Sequence, residues 1–185
     1  FRLLEDTPSI RTVVMAFRGP LYLSGKGYGD VLGEPNINHK LVLTNHPELS
    51  DFTEIFRTAM RSTMQRLTDN NKQIIFVLDL PELDFDPKSC VQSPLRLRKS
   101  PRKVCAVSRQ AFDERNHEYR GLVNSVLKDF PAVKIFDAAA MLCDDQWCRA
   151  KNDDAMLYRD SNHLTLRGSE YISKPLLKLI DPNAK

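Results

Sequence analysis

The sequence lacks any long hydrophobic run. None of its apolar stretches approaches the ~20 residues that a membrane-spanning helix needs, and no signal-peptide pattern stands at its start. It also lacks an excess of either charge. The 27 Lys and Arg residues against 24 Asp and Glu residues leave a formal net charge of +3, which gives no reason to expect a nucleic-acid partner. With 42% hydrophobic and 28% charged residues, the composition excludes wholesale disorder.

Metal-ligand spacings are missing as well. No CxxC motif occurs, so a zinc site is not expected. The histidines His39, His46 and His117 have no second ligand at a suitable spacing, and we interpret all three as surface residues. The sequence therefore predicts neither a metal nor an organic cofactor.

The chain of 185 residues is long enough for one domain with a sizeable core. We expect a single domain over residues 1–185, without an internal repeat or an interdomain linker. Its first residue is Phe1 and not Met, which indicates a mature protein or a domain from a longer chain.

Four cysteines permit two disulfides, in three possible pairings. Cys143 and Cys148 flank the polar loop "DDQW", and Cys90 and Cys105 flank a longer polar loop rich in proline and basic residues. This spacing favours two disulfides that each close a loop, Cys90–Cys105 and Cys143–Cys148, over four free thiols in a cytosolic protein. Such disulfides would place the chain in an oxidising compartment.

Hydrophobic periodicity predicts alternating strands and helices. Short apolar runs at 12–17, 74–80 and 133–137 are typical of buried strands, and 3.6-residue apolar periods predict helices at about 50–70 and 108–129. A loop is expected after the first strand. Thr165 is predicted as the N-cap of a last helix, which Pro175 should kink or split. This order predicts an α/β fold with a parallel sheet and helices on both faces.

The segment "YRDSNHLTLRGSEYI" places Asp160 and His163 three residues apart, just before that last helix. An aspartate beside a histidine can fix its tautomer and stabilise its protonated form, so that the imidazole can take a proton from a serine. The same two residues could instead form a turn that caps a helix.

The surroundings of this pair resemble the SGNH hydrolase superfamily. "YRDSNHLTLRGSEYI" is similar to its last conserved block, in which an Asp and a His complete a triad with an N-terminal serine. The resemblance is closer still to the SGNH domains fused behind the membrane domain of acyltransferase-3 family proteins, which O-acylate bacterial surface polysaccharides. "LCDDQWC", "TVVMAFRGPLYLSGKGYG" and "FVLDLPELDFDPKSC" resemble further segments of such domains.

This resemblance implies a three-layer α/β/α sandwich with a parallel sheet, flavodoxin-like and of SGNH hydrolase type. It implies acyl transfer with Asp160 and His163 as catalytic residues, a glycan acceptor, an acyl donor and an N-terminal membrane acyltransferase domain in the same parent protein. The location implied is periplasmic or extracellular, tethered to the inner membrane. Arg18 matches the family's Arg after the strand and is a possible substrate or oxyanion contact, although Gly19 follows where the family often has Trp. A solvent-exposed Arg at a strand end is the alternative.

The family's serine lies in a Gly-Asp-Ser block, which this sequence lacks. "GYGDV" has Val31 where the serine should stand, and Ser9 and Ser24 lack the motif. We therefore expect that the chain lacks its N-terminal nucleophile block and that the serine lies upstream, in the parent protein. Descent from such an enzyme without the serine is the other explanation. The alternative functions are a secreted carbohydrate esterase and a non-catalytic degenerate SGNH domain that binds glycan.

Overall fold

A computed structural model describes residues 1–29, 41–91, 101–153, 155–181 and 183. Within these ranges a three-stranded parallel sheet has the order β1-β2-β4, formed by β1 (Thr12–Met15), β2 (Gln73–Leu78) and β4 (Lys134–Asp137). A two-stranded antiparallel sheet pairs β3 (Ala106–Ser108) with β5 (Trp147–Arg149). The helices are α1 (Arg2–Asp6), α2 (Gly19–Ser24), α3 (Phe52–Asp69), α4 (Arg109–Leu127) and α5 (Leu166–Ile180). Short 3-10 turns cover Pro87–Cys90 and Ala138–Met141.

The central strand β2 is buried on both faces, as its continuous apolar run predicts for a parallel strand. Ile74, Phe76 and Leu78 pack on one face against the apolar stripes of α3 and α4. Ile75 and Val77 pack on the other face, where α5 contributes Ile172, Leu176, Leu179 and Ile180. Helices therefore cover both faces of the sheet, and the predicted three-layer α/β/α fold is confirmed.

The long helices begin at side-chain caps. Asp51 accepts a hydrogen bond from the backbone N–H of Glu54 at the start of α3, and Ser108 accepts one from Ala111 at the start of α4. Thr165 caps α5 by accepting from Gly168, as expected. These caps satisfy backbone donors that a helix terminus otherwise leaves without a partner.

Two local expectations were wrong. The segment after β1 is not entirely a loop, because α2 begins there with Pro20 in its first turn, where a proline is favoured, and ends at Gly25 in the left-handed conformation. The last helix is not split, because α5 continues through Pro175. Apolar side chains on both sides of that proline, Ile172 and Leu176, pack on the same sheet face. The expected kink stays a prediction.

A second apolar cluster lies beyond the carboxyl ends of the strands, around the two cystines. The disulfides Cys90–Cys105 and Cys143–Cys148 are both present, and Cys90 and Cys148 pack in this cluster with Leu83, Phe112, Leu157 and Tyr158. The expected pairing is confirmed. The cluster joins the loop after β2 to the segment that precedes α5.

None of the helices in the described ranges is both long and apolar enough to cross a bilayer.

The first turn of α5 lies directly against the backbone of the preceding segment. A Cβ added at Gly168 would lie 2.1 Å from the carbonyl oxygen of Leu157, a backbone atom that cannot move aside cheaply. We expect Gly168→Ala to lower the free energy of unfolding by about 2–3 kcal/mol, as overpacking does in a closely packed interior. Urea unfolding followed by circular dichroism measures this change.

Gly121→Ala is the matched control. Gly121 lies in the interior of α4 with no atom within 4 Å of an added Cβ, so this substitution should stabilise the protein by about 0.5–1 kcal/mol through helix propensity. Equal effects of the two substitutions would contradict the close approach at Gly168.

Candidate active site

The DSNH turn (residues 160–163) brings the predicted Asp–His pair into contact. Nδ1 of His163 lies 2.9 Å from Oδ1 and 3.0 Å from Oδ2 of Asp160. The side chains are 44% exposed for Asp160 and 64% exposed for His163, so both are accessible from solvent. An ionised carboxylate only accepts hydrogen bonds, and this contact therefore places the imidazole proton on Nδ1 and leaves the lone pair on Nε2.

Local backbone hydrogen bonds shape this turn. The backbone N–H groups of Asn162 and His163 donate to Oδ1 of Asp160 at 3.1 and 2.8 Å. The N–H of Arg159 donates to the carbonyl of His163 at 2.8 Å and closes the turn. Because Thr165 provides the cap of α5, the Asp160 carboxylate does not cap that helix. The capping explanation for the motif is therefore wrong for this residue.

The carboxylate is held in its ionised form. Partial burial raises the pKa of Asp160, but hydrogen bonds from the backbone N–H groups of Asn162 and His163, together with the His163 imidazole, outweigh it and lower the pKa below its ordinary value. The guanidinium of Arg159 also lies near, with Nε 3.5 Å from Oδ2. The pair thus has the geometry and charge of a base with an orienting partner.

The second ring nitrogen of His163, Nε2, has no side-chain hydrogen-bond partner among the described residues. The hydroxyl of Ser24 has other partners: it donates to the carbonyl of Pro20 at 2.7 Å and accepts from Arg115 at 3.2 Å. An Nε2 lone pair in this state can accept a proton from a hydroxyl brought to it.

Arg18 follows β1 and lies at the same edge of the sheet as the other strand-end residues. Its Nε donates to Oε1 of Glu82 at 2.6 Å, and its side chain is 18% exposed. The alternative of a freely solvated arginine is therefore wrong. Whether Arg18 contacts a substrate or an oxyanion stays a prediction.

Three carboxylates at the ends of the parallel strands were not identified from the sequence. Asp79 follows β2, Glu82 comes three residues later, and Asp137 ends β4. Asp137 forms a two-point ion pair with Arg120, at 2.7 and 2.8 Å. Partial burial raises the pKa of Asp137, but the hydrogen bonds and charge of Arg120 outweigh it and lower that pKa. The signal available in the sequence was their position directly after apolar strands, where polar groups of parallel sheets gather.

Asp79 has the fewest hydrogen-bond partners of these three carboxyl groups to offset the cost of burying its charge. Its Oδ1 accepts from the backbone N–H of Leu80 at 2.8 Å, whereas Oδ2 is buried without a hydrogen-bond partner in the described part of the chain. Burial and the charge of Glu82 raise the pKa of Asp79 to about 7. The hydroxyls of Tyr119 and Tyr158 are buried nearby, and burial and the charge of Asp79 raise the pKa of both phenols.

The remaining predicted features lie elsewhere. His46 is exposed beside Glu48, and His117 is exposed on α4, as expected for surface histidines, whereas His39 lies outside the described residues. Within the described ranges no group of His, Cys, Asp and Glu side chains is arranged to hold a metal ion.

Comparison with known proteins identifies the family. The profile of a family described as "SGNH domain (fused to AT3 domains)" matches residues 1–178. The chain therefore belongs to this SGNH domain family, and the resemblance seen in its sequence is confirmed.

One similar solved structure is the periplasmic domain of the lipopolysaccharide acetyltransferase of Salmonella ser. Paratyphi A. It matches with a TM-score of 0.50 and 17% sequence identity, over 69% of this chain and 50% of that chain. This chain thus spans about half the length of that structure. At this identity the likeness shows a shared fold. A search of curated protein sequences finds no match.

The raised pKa of Asp79 predicts a pH-dependent stability. Between about pH 4 and pH 7 the folded protein holds a proton that the unfolded chain has released, so the free energy of unfolding falls as the pH rises through this window. A carboxyl pKa raised from 3.8 to about 7 corresponds to roughly 4 kcal/mol. We expect Asp79→Asn to remove most of this fall and to be more stable than the wild type at pH 8.

Urea unfolding at pH 5 and pH 8 tests this expectation. Asp145→Asn, in an exposed loop, is the control for removing a carboxylate. A wild-type stability that rises from pH 5 to pH 8, or an Asp79→Asn protein with the same decline as the wild type, would show that Asp79 ionises normally.

Proposed function

We propose that this chain is the SGNH domain of a membrane-bound O-acyltransferase that acetylates a bacterial cell-surface glycan, such as lipopolysaccharide O-antigen. The observation that carries the proposal is the Asp160–His163 pair, with Nδ1 held at 2.9 Å by the carboxylate and Nε2 available. The family description supports fusion to a membrane acyltransferase domain. The structural neighbour, which is named as a lipopolysaccharide acetyltransferase domain, supports the acetyl group and the glycan acceptor.

The chemistry proposed is acyl transfer through a serine ester. His163 accepts the proton of a serine hydroxyl at Nε2 while the serine oxygen attacks the acyl carbonyl carbon. Asp160 holds the ring and stabilises the imidazolium that forms. The bond to the donor then breaks, and the proton passes to the departing group. In the second half, His163 takes the proton of the glycan hydroxyl, whose oxygen attacks the ester carbonyl carbon. The bond to the serine oxygen then breaks, and the proton passes from His163 to that oxygen.

Stabilisation of the oxyanion is assigned to backbone N–H groups at the carboxyl edge of the sheet. Arg18 is proposed as a further contact to the oxyanion or the substrate, since it lies at this edge and carries a permanent charge. Neither assignment needs a metal ion or an organic cofactor.

The serine is proposed to come from a segment of the parent protein outside this sequence. This proposal is supported by the absence of a hydroxyl at Nε2 of His163 among the described residues. It is also supported by the position of β1, which pairs with β2 on one side and has no partner strand on its other side within the described ranges. Val14 of β1 is 41% exposed, which is unusual for a parallel strand.

The proposed location is the periplasmic or extracellular side of the inner membrane. The two disulfides support an oxidising compartment, and the structural neighbour is itself a periplasmic domain.

The isolated chain should be inactive as an esterase. Because it offers no nucleophile at Nε2 of His163 among its described residues, we expect no turnover of 4-nitrophenyl acetate above the background rate. Hydrolysis followed by absorbance measures this, with Ser24→Ala as the companion variant. Turnover that disappears in the Ser24→Ala protein would show that the nucleophile lies in this chain.

In a parent protein that carries the serine, His163→Ala should abolish acetylation of the glycan, because no other described group is placed to take the serine proton. Asp160→Asn keeps the shape of the side chain but loses the charge that orients the imidazole. It should lower the rate by about 10²–10⁴-fold, on the scale of a serine triad. Glycan O-acetylation and thermal unfolding are measured together.

His117→Ala is the matched control, since it removes an exposed histidine from α4 and should leave both acetylation and stability unchanged. Normal acetylation by a folded His163→Ala protein would contradict the catalytic role and favour a non-catalytic glycan-binding domain. Release of acetate to water without transfer to glycan would favour a carbohydrate esterase.

A further inference from the structure

Glu82 is a buried carboxylate clamped between two arginines. The residue is 3% exposed. Nε of Arg18 donates to its Oε1 at 2.6 Å, and Nε of Arg115 donates to its Oε2 at 2.7 Å. Each carboxylate oxygen therefore has its own guanidinium. Since Arg18 follows β1, Glu82 follows β2 and Arg115 belongs to α4, this single side chain joins three separate segments of the chain.

Arg115 also links Glu82 to the end of α2 and to the residues that follow it. Its guanidinium also donates to the carbonyl of Lys26 at 2.9 Å and to the hydroxyl of Ser24 at 3.2 Å, and it lies 5.4 Å from the centre of the Tyr28 ring. Glu82 is a buried anion that both arginines share. Its negative charge offsets the repulsion between these two cations in a region with little solvent.

The residue next to Glu82 holds the DSNH turn. The backbone N–H of Leu83 donates to the carbonyl of Ser161 at 2.7 Å. Leu83 is fully buried, and Ser161 is 4% exposed. Ser161 lies inside the turn, between Asp160 and His163, so the position of the pair depends on the backbone at residues 82 and 83.

We propose that Glu82 is a positioning residue for the Asp160–His163 pair: its two ion pairs fix the backbone whose Leu83 N–H anchors the DSNH turn. The inference rests on the proposed function for its catalytic meaning, because a base must stay within hydrogen-bond reach of the proton it accepts. Glu82 itself does not touch the imidazole. It acts by keeping the turn in one arrangement.

Glu82→Gln tests this role in the chain as it stands. The substitution keeps the size of the side chain and one oxygen acceptor, but it removes the charge and turns an amide N–H₂ towards a guanidinium. Two readouts report on the turn: hydrogen exchange at the amides of Leu83 and His163, and the pH titration of the Asp160 carboxyl carbon by NMR. In the folded variant both amides should exchange at least ~10-fold faster than in the wild type, while the amide of Phe76 in β2 changes less.

The titration of Asp160 is the readout that a purely stabilising role for Glu82 would not change. Its pKa is lowered by N–H groups of the turn and by His163, so a loosened turn should move that pKa up towards the ordinary value of an aspartate. The charged groups that face this carboxylate are Arg159 and His163, and neither is altered in the variant.

Arg115→Gln provides a second route if Glu82→Gln does not fold. It removes one cation and leaves the Arg18–Glu82 pair in place, and it should produce the same changes to a smaller extent. Glu5→Gln is the control, since it breaks the exposed ion pair with Arg66 and should leave the turn unchanged. Unchanged exchange at Leu83 and His163 and an unchanged Asp160 titration in either folded clamp variant would overturn the positioning role.

These readouts do not depend on acyl transfer. Full acetylation by a His163→Ala parent protein would overturn the proposed function and leave the NMR result standing. An unaltered turn in the Glu82→Gln protein would overturn the positioning role and leave the proposed function intact.

Discussion

The burial of strand β2 on both faces is the constraint on which the rest of the structure depends. Its alternate side chains enter two different apolar clusters, one beneath α3 and α4 and the other beneath α5. A strand buried in this way is paired on both edges, here by β1 and β4 in parallel. Parallel pairing points the carboxyl ends of all three strands to one edge, and the polar residues that follow them are brought together there.

The carboxylates at that edge are accommodated in different ways. Glu82 is neutralised by two arginines, Asp137 by the two-point contact with Arg120, and Asp79 by a raised pKa of about 7 that favours its protonated form. Asp160 is exposed and stays ionised through N–H donors of its own turn. Three of these acids are therefore buried or paired at the carboxyl edge of the sheet. The fourth, Asp160 beside His163, is accessible from solvent.

The cystine cluster gives the candidate site a second support. Cys90 and Cys148 pack with Leu83, Leu157 and Tyr158, residues that lie beside Glu82 or just before the DSNH turn. The disulfides therefore hold the loop after β2 and the approach to the turn within one apolar cluster. For a site built from loops, such support limits the arrangements that the Asp160–His163 pair can adopt.

Much of the fold and part of the site follow from local sequence, because the interactions concerned are short in range. The periods of apolar residues predict β2, α3 and α4, since the spacing of apolar residues shows whether one face or both faces of an element are buried. The Asp160–His163 contact closes over three residues, the Thr165 cap reaches Gly168, and each disulfide closes a loop. A turn of this kind places its side chains together largely by its own backbone.

Only the tertiary structure brings Glu82 between Arg18 and Arg115. Glu82 contacts Arg18 across 64 residues and Arg115 across 33, and the Leu83–Ser161 hydrogen bond crosses a still longer separation in the chain. The position of Glu82 shortly after an apolar strand places it near the carboxyl edge of the sheet, but nothing in the neighbouring sequence identifies its two arginine partners. The raised pKa of Asp79 likewise depends on which side chains enclose it. The sequence by itself determined the strands of the parallel sheet, the long helices and the Asp–His pair. The folding of the sheet decided which distant charges share its carboxyl edge, because burial and Coulomb interactions depend on distance in space and not along the chain.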